Sequence, residues 1–227
     1  MTVMRVERVV YGVPNLDECA RFFTDFGLEP LDGGGSGARF GTQTGQVIEL
    51  RDADDPSLPP AVQSGPSLRE IVWGVDTQES LDKVATNLLS DRSIYTDRLG
   101  FVPTDRPAKV GVFMRAPGDT DHHTLLLCHR PDKNGINHCA FEVARIDEVI
   151  VGANDMIEKG WHEARRLGRH TVGSNIFRFI HAPCGGRVEF AADMDRVDEN
   201  YGPNDHEETP PHTIWTLRLE RDAKDDH

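Results

Sequence analysis

Ile136-Asn137-His138-Cys139-Ala140-Phe141-Glu142-Val143 is a short alternating run that feeds a polar turn and then an amphipathic segment, Asp147–Lys159. The same grammar occurs twice earlier in the chain. Val6-Glu7-Arg8-Val9-Val10-Tyr11-Gly12-Val13 leads into Asn15–Phe26, and Leu68-Arg69-Glu70-Ile71-Val72-Trp73-Gly74-Val75 leads into Gln78–Leu89. The three runs superpose register for register with a polar third position, and period-two alternation reads as strand. The segments after them carry apolar residues at helical spacing. Each begins at Asp, Asn or Thr and ends near a glycine or a Ser/Asp turn, so each predicts a helix.

Further strand-like runs follow the first helix at Leu28–Leu31, Ala38–Thr42 and Gln46–Arg51. Others follow the third helix at Arg165–Thr171, Asn175–Ala182 and Arg187–Ala191, with Pro183-Cys184-Gly185-Gly186 turning a hairpin. The expected fold class is therefore α+β, built from repeated βαβββ modules that form curved, open-barrel sheets. Alternation then sends every second side chain of each strand into the concave face. The middle of the chain departs from the pattern. Tyr95-Thr96-Asp97-Arg98-Leu99-Gly100-Phe101 reads as a helix end, the counterpart of Phe23-Thr24-Asp25-Phe26-Gly27-Leu28, directly after the Gln78–Leu89 helix. Two helix ends in succession predict missing material near Ile94/Tyr95. The expected organisation is an N-terminal module region over 1–92, a C-terminal module region over 93–194 and an acidic extension over 195–227.

Composition narrows the partners. The 227 residues carry a formal charge of −13, which argues against a nucleic-acid backbone or an anionic membrane surface. From Asp193 onward 11 acids face 4 bases, so −7 of that charge lies in the last segment. Three prolines and a glycine between Asn200 and Pro211 exclude a continuous helix there, so the segment reads as a solvated extension, with Thr213–Leu217 as a short docking strand. No run approaches the roughly 20 apolar residues of a spanning helix, and Met1–Arg8 lacks the apolar core of a signal peptide. Cys19, Cys128, Cys139 and Cys184 are scattered without a CxxC pair, which fits reduced thiols and a cytoplasmic location.

The ten histidines concentrate in the second half. Asp121-His122-His123-Thr124-Leu125 is expected to open a strand, His138 stands on the next, Arg169-His170 follows, and Glu189 lies in Arg187-Val188-Glu189-Phe190. Alternation points His138 with Ala140 and Glu142, and it opposes Glu189 to Val188 and Phe190. Burying an unpaired carboxylate costs several kcal/mol, and a divalent metal is one remedy. Histidines and a carboxylate with open positions match the facial triad of non-haem Fe(II) oxygenases. A strand histidine that is simply hydrogen-bonded, and an edge glutamate that discourages aggregation, are the alternatives for single residues.

Taken together, Gly111-Val112-Phe113-Met114-Arg115, Asp121–Leu125, Asn137–Val143, Gly168-Arg169-His170 with Gly173-Ser174-Asn175, and Pro183–Gly186 with Val188-Glu189-Phe190 resemble the catalytic half of extradiol ring-cleavage dioxygenases. That family belongs to the vicinal oxygen chelate superfamily, which also holds glyoxalases and bleomycin-resistance proteins. The likeness covers about Tyr95–Met194, and Val6–Leu89 more loosely. It implies that His138 and Glu189 are metal ligands, that His123 is an acid/base, and that His170 hydrogen-bonds in the site. It also implies Fe(II), or Mn(II), as cofactor, a catechol-type aromatic diol and O₂ as substrates, and assembly into a homo-oligomer. The strand bearing the family's first metal histidine is not in the sequence, and Glu70 is the substitute to consider. Phe179 stands where relatives often have tyrosine, and His181 shares its face as a second substrate-side residue. A non-oxidative lyase or isomerase of the glyoxalase type, or a binding protein without catalysis, uses the same scaffold.

Overall fold

The computed structural model describes residues 3–33, 35–89 and 93–218. The final part of the acidic extension, and residues 90–92 beside the expected gap, lie outside these. The chain forms two compact units.

The first unit comprises Met1–Asn137 with Ala182–Gly186 and Arg196–Thr209. Strand β1 (Val3–Val13) is followed by helix α1 (Leu16–Phe26) and by β2 (Glu29–Leu31), β3 (Ala38–Gly41) and β4 (Val47–Asp52). The Asn15 side chain caps α1 by accepting from the Glu18 amide, and Gly27 closes the helix at φ 97°, a left-handed position that suits glycine. The helix buries Cys19, Phe22 and Phe23 on one stripe. β4 returns parallel to β1, as a βαβββ module requires, and β5 (Ser67–Val75) adds to the other edge of β1. Helix α2 (Gln78–Asn87) follows, capped by Thr77. A single wide turn over Ile94–Arg98 then leads into β6 (Val102–Pro107), β7 (Gly111–Arg115) and β8 (Leu125–Cys128). The order strand, helix and three strands is thus present in the middle of the chain too. Its first strand, however, pairs with β1, and its last three lie in a separate sheet.

Two expectations change here. His122 and His123 precede β8 rather than open it, because pairing with β7 begins at Leu125 opposite Met114. The proline-rich stretch after Asp195 is also not simply a solvated tail. Asn204–His206 forms β13, parallel to β6, and Arg115 donates to the Asp198 carbonyl at 2.8 Å.

The second unit comprises His138–His181, Arg187–Asp195 and the chain from Pro210 onward. Here β9 (His138–Glu142), helix α3 (Ile146–Glu158), β10 (Glu163–His170), β11 (Ile176–His181) and β12 (Arg187–Ala192) restate the module of β1 to β4. β12 lies parallel to β9, and β14 (Thr213–Thr216) extends the sheet beyond β10. Val149, Ala153 and Met156 of α3 are fully buried at helical spacing. Phe190 of β12 lies against Gly152 on the same helix, so α3 covers the sheet face carrying Val188, Phe190 and Ile180. The opposite face carries His138, Glu189 and Phe179. Among the described residues no helix is long and apolar enough to cross a membrane.

β14 is held to β10 by more than its ladder. Arg165 Nη1 donates to His212 Nε2 at 3.0 Å, and the Thr171 amide donates to the His212 carbonyl at 3.4 Å. Gly168, where β10 meets both β11 and β14, has no room for a side chain. A Cβ there would lie 2.7 Å from Phe177 Cζ and 2.9 Å from the Trp215 carbonyl oxygen.

Two outcomes follow from this edge. Gly168→Ala is expected to destabilise the chain by about 1–3 kcal/mol, because the Trp215 backbone cannot yield without opening β14. It would be read as a lower urea midpoint at unchanged m, and an unshifted midpoint refutes the packing. Desolvation first, and then the positive charges of Arg165, His170 and Arg187, push the His212 imidazole from its ordinary 6.5 down to about 4. The folded chain therefore binds fewer protons than the unfolded chain between those values, so stability falls as pH drops from about 6.5 toward 4 and is level below. Melting temperatures across this window should fall less steeply in His212→Asn than in the wild type. Equal slopes would show that His212 is not held neutral.

Candidate active site

The parallel register of β12 on β9 places Arg187 beside His138 and Glu189 beside Ala140. The antiparallel register of β11 on β12 places Phe179 beside Glu189 and His181 beside Arg187. Directly paired residues share a face, so these two registers alone gather His138, Arg187, Glu189, Phe179 and His181 on one side of the sheet.

Glu189 lies at the centre of that face and is only 2% exposed. Its Oε2 is 3.2 Å from His138 Nε2, and its Oε1 is 3.7 Å from His170 Nε2. Asn175 Nδ2 donates to Oε1 at 3.2 Å, and a carboxylate that can only accept requires that orientation of the amide. The Asn175 Oδ1 on the other side is buried and meets no donor among the described residues. His170 Nδ1 lies 3.4 Å from the His212 carbonyl, which turns the other ring nitrogen toward the carboxylate.

The floor of the face is aromatic. His138 stands edge-on to Phe179 with centroids 5.1 Å apart, and His170 stacks on Phe177 at 4.0 Å. Arg165 lies over both phenyl rings, at 5.3 Å from Phe177 and 5.9 Å from Phe179, while Arg187 lies 5.1 Å from Phe179. Burial first, then Arg187, His170 and Arg165, hold the His138 imidazole below its ordinary value despite the opposing pull of Glu189. Its neutral form is the one that presents a lone pair to a metal. Burial likewise lowers the Arg165 guanidinium, against Glu189.

Of the residues singled out in the sequence, His138, His170 and Glu189 meet in the second unit. Phe179 is buried beneath them, and His181 at the end of β11 is exposed. His123 belongs to the first unit, where its Nδ1 lies 3.0 Å from His122 Nδ1. Glu70 also belongs to that unit, exposed on β5 opposite Val10. Among the described residues no group of three or more His, Cys, Asp or Glu side chains is set to hold a metal ion. The donor chemistry of the second unit nevertheless suits a hard or borderline divalent cation at two points. A neutral imidazole and a buried carboxylate stand 3.2 Å apart, beside an orphaned amide oxygen.

Asn175, Arg165, Arg187 and His212 were not singled out from the sequence. Asn175 lay within the quoted Gly173-Ser174-Asn175 and precedes a strand, so its use as a donor was open to notice. The arginines reach this face through a bulged β10 and through register, which a single sequence does not display.

Residues 91–190 match the family model described as Glyoxalase/Bleomycin resistance protein/Dioxygenase superfamily. The chain is 38% identical to metapyrocatechase 2 of Cupriavidus necator over 103 residues, which is 45% of this chain and 32% of that protein. It is 29% identical to biphenyl-2,3-diol 1,2-dioxygenase of Paraburkholderia xenovorans (strain LB400) over 141 residues, covering 59% of this chain and 46% of the other. These matches span about a third to a half of the curated relatives' length. The crystal structure of 2,2',3-trihydroxybiphenyl 1,2-dioxygenase from Sphingomonas wittichii strain RW1 superposes with a TM-score of 0.73 over 96% of this chain and 100% of that one, at 16% identity. That likeness shows the fold: paired βαβββ modules of the vicinal oxygen chelate type. Over residues 91–190, then, the chain is similar to the Glyoxalase/Bleomycin resistance protein/Dioxygenase superfamily.

Proposed function

We propose that the chain acts as an extradiol dioxygenase dependent on Fe(II), adding both atoms of O₂ to a catechol-type aromatic diol and opening the ring beside the diol. The observation that carries the reading is the buried Glu189 carboxylate facing a neutral His138, in a chain whose matched relatives are named as dioxygenases of this kind. His138 and Glu189 would hold the metal. Fe(II) bound there would supply Lewis acidity toward the diol oxygens and a place for O₂ beside the ring, and Mn(II) is compatible with the same donors.

The chain's own side chains support the rest. Phe177 and Phe179 lie buried beneath His138 and His170 and keep water from the polar groups above them. Arg165 and Arg187 add positive potential to the same face and favour an ionised diol over a neutral one. His170, backed by the His212 carbonyl, can hold a proton at Nε2 toward a substrate oxygen. By the resemblance, His123 is the residue that would take up a proton and return it later, as an imidazole is suited to do. Phe179 offers no hydroxyl, so a hydrogen bond to the substrate from that position is not available.

The complete chain, loaded anaerobically with Fe(II) and then mixed with catechol and air, should form a yellow ring-opened product with one O₂ consumed per catechol. His138→Ala and Glu189→Gln should each weaken Fe(II) binding at least about tenfold and abolish colour formation. Turnover without oxygen uptake would replace this reading with a glyoxalase-type reaction. Wild-type chain that takes up no Fe(II) would leave a binding protein.

A further inference from the structure

A second buried carboxylate lies in the first unit, where none of the residues discussed so far requires one. Asp105 of β6 is 4% exposed, and His122 is 1% exposed. His122 Nε2 lies 2.7 Å from Asp105 Oδ2, and Tyr201 donates its hydroxyl to the same oxygen at 3.1 Å. His206 Nε2 meets Oδ1. Burial pushes the Asp105 carboxyl up, but the hydrogen bonds from His206, His122 and Tyr201 outweigh it and hold the group below its ordinary range.

An ionised carboxylate only accepts, so His122 Nε2 must carry a proton. In neutral His122 the Nδ1 is then a lone pair, and it lies 3.0 Å from His123 Nδ1. That contact is a hydrogen bond only if His123 Nδ1 carries the proton. The unprotonated nitrogen of neutral His123 is consequently Nε2. Both rings stand edge-on to Phe113, with centroids 6.1 and 4.8 Å away.

We propose that Asp105 and His122 are positioning residues for His123, setting its tautomer so that Nε2 is the base and giving the captured proton an internal store. When Nε2 accepts a proton, the Nδ1 proton of His123 can pass to His122 Nδ1. The positive charge then rests on His122 beside the Asp105 carboxylate, and His123 is neutral again with its proton on Nε2. Reversal of both transfers returns the proton from Nε2. Charge and protons balance, and no other reactant is needed. This inference rests on the reading of His123 as a proton carrier.

The test separates the two. Long-range nitrogen–proton spectra of the metal-free full chain, labelled at histidine nitrogen, should show neutral His123 protonated on Nδ1. In His122→Phe, which preserves ring volume, His123 should redistribute toward the other tautomer. In His129→Gln, which changes an exposed histidine of the same unit, the His123 tautomer should stay unchanged. In the Fe(II)-loaded chain, His122→Phe should lower kcat for catechol at least about tenfold with KM held within about twofold, and His129→Gln should leave both unchanged. A wild-type His123 protonated on Nε2, or equal kcat losses in the two variants, overturns the proposal by making the cluster merely structural. If His123→Gln keeps full oxygen uptake while the wild-type tautomer is as expected, the proton-carrier reading fails and the tautomer assignment stands. The wild-type spectrum decides the case even if a variant does not fold.

Discussion

The second unit is organised around a carboxylate that has been taken out of water. A glutamate that is 2% exposed is tolerated only if its oxygens are answered, and the sheet is arranged to bring the answers. Parallel pairing of β12 with β9 aligns His138 with Arg187, one residue pair from Glu189. The strand reversal after His170 returns Asn175 to the same oxygen that His170 faces. Phe177 and Phe179 then keep solvent away and raise the strength of each polar contact. A one-residue slip of β12 would put Val188 or Phe190 in Glu189's place and dismantle the face, so register is the constraint on which the site depends.

That register was legible in the sequence to a useful degree. Alternation in Ile136–Val143 and Arg187–Ala191 places His138 and Glu189 on a common side once the module is recognised, and the strand and helix spans of both complete modules fall within a few residues of expectation. The misses have physical causes. β6 contains Pro103 and Pro107, residues that ordinarily argue against a strand, yet it pairs with β7 on one side and only briefly with β13 on the other. Losing that strand hid Asp105. The proline-rich, acidic segment after Asp195 reads as solvated by composition, but Tyr201 and His206 dock from it onto that same aspartate. Long-range partners of this kind have no periodicity to betray them.

The strand after His123 illustrates a different limit. A doublet of histidines next to Thr124-Leu125 reads as the start of a strand, whereas β-pairing starts only at Leu125. Leaving the doublet out of the ladder frees both imidazoles from the strict alternation that would send them to opposite faces. Their Nδ1 atoms can then meet at 3.0 Å, which adjacent residues within a regular strand cannot do.

The two buried carboxylates differ in how completely they are satisfied, and that difference bears on their chemistry. Asp105 receives His122 and Tyr201 on one oxygen and His206 on the other, all at hydrogen-bonding distance, so its charge is spent on orienting its donors. Glu189 receives one amide donor at 3.2 Å, while His138 lies beside Oε2 at 3.2 Å with its protonation disfavoured and His170 stands 3.7 Å from Oε1. A carboxylate as saturated as Asp105 has little left to offer a cation. One bounded by the neutral His138 imidazole and an orphaned amide oxygen keeps its attraction for positive charge, because its own unit answers it only in part. The same pairing of acid with histidine is therefore closed by its donors in one unit and answered only in part in the other.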